Sequence, residues 1–197
     1  MILMATNLEI EFKNMLTEQE YQQLLNKFSI NEEQLWTQKN VYFDTPTGQL
    51  KKLEAALRIR VKNSTYELTL KTKQAVGLLE TNQMITKQDY QALKYDKVLV
   101  KGPVYEALQS LSVDVNHLLV ITDLTTKRAE VPYKEGLLVL DKSFYSDVID
   151  YELEYEVTDY EVGLRHFNDL LKQYHIPTRE TENKIKRATN AMNKKKN

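Results

Sequence analysis

The strongest constraint in this sequence is a set of segments in which polar and apolar residues alternate, as they do along a half-buried β-strand. Several neighbouring segments are joined by short turn-like stretches, VKNSTY and VPYKEGLL, which favours antiparallel pairing. Seven segments rich in β-branched or aromatic residues have the pattern: NLEIEFK (7–13), QKNVYFD (38–44), AALRIRVK (55–62), TYELTLKTK (65–73), LVITDLTTKRAEV (119–131), GLLVLDKSF (136–144) and VIDYELEYEV (148–157).

Helical patterns lie between these strands. In TEQEYQQLLNKF (17–28), Thr17 and Glu20 have the spacing of a capping box, and an apolar stripe follows. Further helices are predicted at 86–95, at 103–111 with a proline in the first turn, at 160–174 although Gly163 weakens it, and near 180–192. The class is therefore α+β, one large antiparallel sheet with helices outside it.

The chain as a whole favours a single domain covering residues 1–197. Its 197 residues suffice for one sizeable core, and with 5 Gly and 4 Pro no linker separates two patterned halves. The 27 basic and 28 acidic residues nearly cancel, so the net charge favours neither nucleic acid nor a membrane surface. The absence of cysteine excludes disulfides, thiolate metal sites and cysteine nucleophiles.

The two ends of the sequence carry no targeting signal that we recognise. The opening MILMA is too short for a signal peptide, and no run approaches the roughly 20 apolar residues that span a bilayer. We therefore expect a cytoplasmic protein without membrane contact. The closing NKKKN is interpreted as a solvated basic tail, because it lacks the aromatic residues that stack on nucleic-acid bases.

The charges on the polar faces are sorted by strand. Two strands are mainly cationic, with Arg58, Arg60 and Lys62 on the polar face of one and Glu67, Thr69, Lys71 and Lys73 on that of the other. Two are mainly anionic, with Glu9 and Glu11 and then Glu152, Glu154 and Glu156. Like charges at i and i+2 stand about 6.6 Å apart along a strand, which is within a Debye length of roughly 8–10 Å. A face selected only for solubility would more often mix signs along each strand.

Such sorting is explained if the sheet curls so that its polar face encloses a ligand that has both an anionic and a cationic part. Arg and Lys would bind an anion, while carboxylates would bind a divalent cation, and a metal bound to a phosphate chain meets both needs. In a barrel, one alternating set of residues points inward and lines a shared interior. The outward apolar set would then be covered by the helices.

The order of several short motifs resembles the CYTH superfamily, the triphosphate tunnel metalloenzymes. EIEFK resembles the family signature Glu-x-Glu-x-Lys, and the other pieces follow in the family order: YFDT (42–45), LRIR (57–60), LTLK (68–71), TTKR (125–128), LD (140–141), YELE (151–154) and Lys184. The resemblance covers nearly the whole chain, with a core of about residues 7–190. It implies an eight-stranded antiparallel β-tunnel with a polar interior and helices packed outside.

The same resemblance assigns roles to individual residues. It implies that the catalytic residues are Glu9, Glu11 and Lys13, and that Mg²⁺ or Mn²⁺ is the cofactor. The implied metal ligands are Glu9, Glu11, Asp141, Glu152 and Glu154. The implied triphosphate ligands are Lys13, Arg58, Arg60, Lys71, Lys73, Arg128 and Lys184. Carboxylate oxygens suit hard divalent cations, and guanidinium and ammonium groups suit phosphate, in agreement with this division.

Four assignments stay open at this point. Glu156 continues the alternation, so the acidic pair could be Glu154 and Glu156. Where relatives often have Ser-Lys this chain has Asn183-Lys184, and Lys186 competes as a phosphate ligand. Lys73 could reach the anion or lie in solvent at the mouth. Asp44 belongs to a family motif, but a turn-forming Asp before Thr-Pro is an equally good account.

The predicted activity is metal-dependent hydrolysis of inorganic or organic triphosphate. The first alternative is a class IV type of adenylate cyclase, and the second is a module that binds polyphosphate or nucleotide without turnover. No Walker motif occurs, and the three histidines lack the spacing of a zinc site. The expected partner is a small-molecule triphosphate; a homodimer is compatible with the sequence, and the physiological substrate stays open.

Overall fold

A computed structural model describes residues 5–196, apart from the side chains of Ala5, Lys195 and Lys196. Residues 1–4, and with them most of the MILMA stretch, lie outside the described residues, as does Asn197 of the basic tail. No helix within the described part of the chain combines the length and the apolar character that crossing a bilayer requires.

Within residues 5–196, eight strands form one closed antiparallel barrel in the order β1-β5-β4-β3-β2-β6-β7-β8. This confirms the α+β class and the eight-stranded architecture. The strands are β1 (Ala5–Leu16), β2 (Trp36–Asp44), β3 (Ala55–Lys62), β4 (Thr65–Lys73), β5 (Leu78–Ile85), β6 (Leu119–Tyr133), β7 (Gly136–Tyr145) and β8 (Val148–Val157).

The helices occupy the connections between strands and the C-terminal region. The α-helices of the described residues are α1 (Glu18–Lys27), α2 (Gln49–Lys52), α3 (Lys87–Gln91), α4 (Pro103–Ser110), α5 (Tyr160–Gln173) and α6 (Lys184–Lys196). Short 3-10 turns lie at Glu32–Gln34 and Val115–His117, and a π-helical turn at Ala92–Asp96 continues α3.

All seven predicted strands are present, and the sequence reading missed only β5. Its sequence, LLETNQMI, has little β-branched content and no strict alternation of polar and apolar residues, so the pattern that identified the others fails. The capping box of α1 is confirmed, because the Thr17 hydroxyl accepts a hydrogen bond from the Glu20 amide and the Glu20 carboxylate accepts one from the Thr17 amide.

Residues 5–196 divide into two compact units, and the first contains residues 5–8 together with Gln38–Leu124. Its core lies on the apolar face of β2, β3 and β4, where Leu57, Ile59, Leu68 and Leu70 are at most 1% exposed. Leu108 of α4 and other helical and loop residues cover this face. Because strand residues alternate, the arginines and lysines of β3 and β4 point to the opposite face.

The second unit contains residues Glu9–Thr37 and residues 125–196. Its core packs α1 and α5 against the apolar faces of β7 and β8, with Leu24, Leu153, Tyr155 and Leu170 completely buried. The glutamates of β1 and β8 therefore point away from this core. That residues 1–197 form a single domain stays a prediction.

Gly163 in α5, which the sequence reading counted against this helix, has a packing role. A Cβ atom at this position would lie 2.6 Å from Cγ2 of Val157 and 2.9 Å from Cε2 of Phe12. The glycine therefore lets α5 approach β1 and β8 closely, which outweighs its lower helix propensity of about 1 kcal/mol.

A polar strap, residues 177–181, fixes the chain just before α6. The side chain of Asn14, which is completely buried, donates to the Pro177 carbonyl at 3.0 Å and accepts from the Arg179 amide at 2.6 Å. Arg179 in turn binds both carboxylate oxygens of Glu20, at 2.8 and 2.9 Å. The strap thus ties the start of α6 to the end of β1 and to α1.

We predict that Glu20→Gln weakens the strap in a pH-dependent way. The hydrogen bond from Arg179 lowers the pKa of Glu20 in the folded state. The ion pair therefore stabilises the fold above the unfolded pKa of about 4.3, and its contribution is lost as the pH falls through the folded pKa. We expect a loss of about 0.5–1 kcal/mol in the free energy of unfolding at pH 7, shrinking below about pH 4.

Urea unfolding across this pH range measures the effect, with Glu33→Gln in the exposed 3-10 turn as the matched control. An equal loss at pH 7 and at acid pH would contradict a charge-dependent strap.

Candidate functional site

Three carboxylates of the second unit converge on one point. Glu9 and Glu11 lie on β1, and Glu156 lies on β8 directly opposite Glu11. One oxygen from each of the three lies within 4.8 Å of the others, and all three residues are half-buried. In the described part of the chain this is the only group of acidic or histidine side chains with such a spacing. The donors are all carboxylate oxygens, the ligand type that Mg²⁺ and Mn²⁺ prefer.

The crowding of this carboxylate trio is visible in the pKa of Glu156. Burial, followed by repulsion from Glu9, Glu154 and Glu11, raises the pKa of Glu156 to about 7, and attraction from Arg128 only partly offsets this. A bound cation would relieve the repulsion that raises this pKa. The residues present therefore fit a divalent metal.

Lys13 links the trio to the next carboxylate of β8. Its Nζ lies 2.6 Å from Glu11 and 3.6 Å from Glu154, which is the residue opposite Lys13 in the strand pairing. Burial favours the neutral amine, but the attraction of Glu11 and Glu154 outweighs it and raises the pKa of Lys13. Lys13 is therefore charged at neutral pH and is shared between two carboxylates.

The acids that are deeper in the second unit are held by two cations. Arg128 on β6 binds Asp141 on β7 through two hydrogen bonds, at 2.8 and 2.7 Å, and also binds Glu154 at 2.9 Å. Lys184 on α6 lies 2.9 Å from Asp141 and 2.6 Å from both Glu152 and Glu154. Burial alone would raise the pKa values of Asp141 and Glu154, but Arg128 and Lys184 outweigh it and hold both values below their usual range.

Arg187, one turn after Lys184, is a member of this network that the sequence reading missed. Its guanidinium lies 2.6 Å from Glu152 and 3.0 Å from Asp150, and the Tyr145 hydroxyl also donates to Asp150. The available signal was the spacing of three residues between Lys184 and Arg187, which puts both cations on one side of α6. Asn183 precedes them, and its side chain accepts a hydrogen bond from the Lys186 amide and so caps the helix.

The second unit thus has two kinds of carboxylate. Asp141, Asp150, Glu152 and Glu154 face the cations named above, so this set is nearly neutral. The trio lies beside this set, and Lys13 connects the two because it contacts both Glu11 and Glu154. Of the metal ligands implied by the sequence, the structure brings Glu9 and Glu11 together with Glu156, and it engages Asp141, Glu152 and Glu154 in ion pairs.

The first unit presents most of the predicted phosphate ligands on the polar face of β3 and β4. Arg58 lies opposite Thr69, and Arg60 lies opposite Asn40 of β2 and Glu67 of β4. Arg60 donates from Nε to the Asn40 side chain at 3.4 Å. Arg58 and Arg60 therefore lie on one face of β3, and the apolar residues on its other face pack into the buried core.

The two lysines of β4 differ in their surroundings. Lys71 is one-fifth exposed and lies 2.6 Å from Glu80 on β5, the strand that the sequence reading missed. Burial raises the pKa of Glu80, but Lys71 and then Arg58 outweigh it and lower the pKa overall. Lys73 is 56% exposed and pairs with the exposed Glu54 at 2.5 Å. Lys73 therefore faces solvent, whereas Lys71 is part of the polar face.

Two other open questions have structural answers. The Asp44 carboxylate accepts hydrogen bonds from the amides of Thr45, Leu50 and Lys51, at 2.7, 2.9 and 3.1 Å. Asp44 therefore organises the turn and the start of α2. Lys186 is 60% exposed and pairs with Glu182 at 2.6 Å, so it lies apart from the cluster around Lys184.

Comparison with known proteins gives matches over nearly the whole chain. The family model of the CYTH domain matches residues 7–189. A Bacillus subtilis (strain 168) protein named "Putative triphosphatase YjbK" is 44% identical over 185 residues, which are 93% of this chain and 95% of that protein.

Two solved structures are also similar. A Bacillus halodurans protein described as a "putative adenylate cyclase" is 39% identical, with a TM-score of 0.89 over 92% of this chain and 97% of its own. A Hippeastrum protein, described as a "putative adenylyl cyclase" with a dominant triphosphatase activity, is 26% identical. Its TM-score is 0.75, over 90% of this chain and 93% of its own.

We predict that Arg128→Met destabilises the fold far more than Lys73→Met. The first change leaves Asp141 and Glu154 buried without their guanidinium partner, which typically costs about 3–5 kcal/mol. The second removes an exposed ion pair worth less than about 1 kcal/mol. Guanidinium unfolding of both variants measures the difference, and equal losses would contradict the assignment of Arg128 to a structural network.

Proposed function

Because the chain belongs to the CYTH family, we propose that it hydrolyses the triphosphate chain of a small molecule with Mg²⁺ or Mn²⁺ as cofactor. The observation that carries the proposal is the carboxylate trio beside Lys13. Three converging carboxylates suit a divalent cation, and a lysine at 2.6 Å from one of them suits the anion that accompanies such a cation. Cytoplasmic location stays a prediction from the sequence.

We assign the metal to Glu9, Glu11 and Glu156. A cation held there would neutralise phosphate charge and polarise a phosphorus centre toward attack by water. This assignment differs from the ligand set implied by the family motif, which continued with Asp141, Glu152 and Glu154. Among the described residues those three do not join the carboxylate oxygens that converge with Glu9 and Glu11, and each of them contacts Lys184.

We assign the phosphate oxygens first to Lys13, Arg58, Arg60 and Lys71. The planar guanidinium fork of arginine binds two phosphate oxygens at once, and an ammonium acts as a point charge. Together these groups would stabilise the negative charge that spreads over the phosphoryl oxygens in the transition state. Arg128 and Lys184 stay in the proposed set, but we expect smaller contributions because each lies within 4.0 Å of three carboxylates.

We predict that Glu11→Gln and Arg58→Met each lower phosphate release from inorganic triphosphate at least a hundredfold. The first change removes a proposed metal ligand, and the second removes a charged donor to the transition state. Malachite-green detection of phosphate measures the rate, and the matched controls are Glu54→Gln and Lys73→Met, which change only an exposed ion pair. Folded variants with wild-type turnover would overturn the proposal, and tight binding without turnover by the wild type would favour a binding module.

We predict that Glu156→Gln weakens Mn²⁺ binding at least tenfold, whereas Glu152→Gln changes it by less than threefold. Glu156 belongs to the trio, while Glu152 is held by Lys184 and Arg187. Calorimetric titration with Mn²⁺ separates the two positions. The reverse result would restore the metal pair Glu152 and Glu154.

Cyclisation of ATP is the competing activity, and the name of the Bacillus halodurans relative favours testing it. Cyclisation needs the same metal and phosphate ligands, together with an activated ribose 3′ oxygen. A single reaction with ATP, assayed for cyclic AMP and for released phosphate, distinguishes the two. Parallel reactions with inorganic triphosphate, thiamine triphosphate and ATP identify the substrate class.

A further inference from the structure

Arg58 and Thr69 form a directly opposed pair at the centre of the polar face of the first unit. The apolar neighbours of Thr69 in β4, Leu68 and Leu70, point into the core, so the Thr69 hydroxyl points to the side of Arg58. Thr69 is nevertheless completely buried. It is an uncharged residue between charged ones, and the family motif gave it no role.

Both members of this pair carry a buried polar atom without a hydrogen-bond partner. Among the described residues, the atoms in this state include Nε of Arg58 and Oγ1 of Thr69. Native proteins rarely leave such groups unpaired, because burial removes their bonds to water without replacing them. An orphaned donor and an orphaned acceptor on facing residues are complementary: Nε can only donate, and the hydroxyl oxygen can accept.

The distance between the two positions allows them to pair. Opposed residues of antiparallel strands have Cβ atoms about 5 Å apart, and a few rotations about the arginine side chain bring Nε–H to the hydroxyl. The other neighbour of Thr69 is Asn82 on β5, whose amide group donates to Glu80 at 3.4 Å. That donor is therefore directed toward Glu80.

We propose that Thr69 is a positioning residue for Arg58, an inference that rests on the proposed triphosphatase function. When phosphate binds, Nε–H of Arg58 donates to Oγ1 of Thr69. The two Nη groups then point together at phosphate oxygens in the bidentate arrangement that makes arginine a strong phosphate ligand. Substrate binding thus satisfies both orphaned atoms, and the gain favours the bound state.

The test compares Thr69→Val, which keeps the shape and removes the oxygen, with Thr69→Ser, which keeps the oxygen. The KM for inorganic triphosphate with Mg²⁺ should rise about tenfold in Thr69→Val, with kcat changed less than threefold, and should return to within twofold of wild type in Thr69→Ser. The melting temperature of Thr69→Val should equal or exceed that of the wild type, because the change removes a buried unpaired hydroxyl. An unchanged KM in Thr69→Val would overturn the proposal. A lower melting temperature in Thr69→Val, together with an equal rise of KM in Thr69→Val and Thr69→Ser, would overturn it as well.

A double-mutant cycle then tests whether Thr69 acts through Arg58. Arginine can donate from Nε to Thr69 while its two Nη groups bind phosphate, whereas lysine has a single ammonium group. In an Arg58→Lys background, Thr69→Val should therefore have no further effect on KM. A tenfold effect that persists in this background would mean that the hydroxyl contacts phosphate itself, and positioning would be overturned.

Failure of this inference is distinguishable from failure of the proposed function. A wild-type protein that neither binds nor hydrolyses inorganic triphosphate overturns both. A wild-type protein that hydrolyses it, with Thr69→Val behaving like wild type, overturns the role of Thr69 alone.

Discussion

The buried guanidinium of Arg128 is the interaction on which the interior of the second unit depends. It lies on β6 and binds Asp141 of β7 and Glu154 of β8, so one side chain joins three strands. Two carboxylates that are at most 4% exposed would otherwise face a large desolvation penalty. Lys184 adds the start of α6 to the same cluster, and the polar strap holds that start in place. The strands β7 and β8 are therefore held by apolar packing on one face and by ion pairs on the other.

The carboxylates of the second unit differ in the direction in which their surroundings shift their pKa values. Asp141, Glu152 and Glu154 are paired with nearby cations, and the pKa values of Asp141 and Glu154 are correspondingly low. Glu156 has the opposite behaviour, because burial and neighbouring carboxylates raise its pKa to about 7. A bound divalent cation would favour the ionised form of Glu156 and so lower this pKa.

Much of the fold could be predicted from the sequence because strand alternation is a local property. The strand β3 was predicted with its observed bounds, since every second residue from Leu57 to Val61 is apolar, and Leu57 and Ile59 are completely buried. The strand β5 was missed because its pairing with β4, and not its own composition, makes it a strand. Glu80 was missed with it. Asp44 is the converse case, since a motif residue that resembled a functional one proved to cap a turn through three backbone amides.

The residue of β8 that lies opposite Glu11 was beyond the reach of the sequence for a related reason. The residues Glu152, Glu154 and Glu156 share one face of β8, and a slip of two residues against β1 would keep every side chain on its own face. Alternation therefore cannot decide which glutamate meets Glu11. The pairing of Glu11 with Glu156 follows from contacts elsewhere, including the close approach of α5 to Val157 that Gly163 allows. Packing on the apolar face thus selects the carboxylate that completes the trio on the polar face.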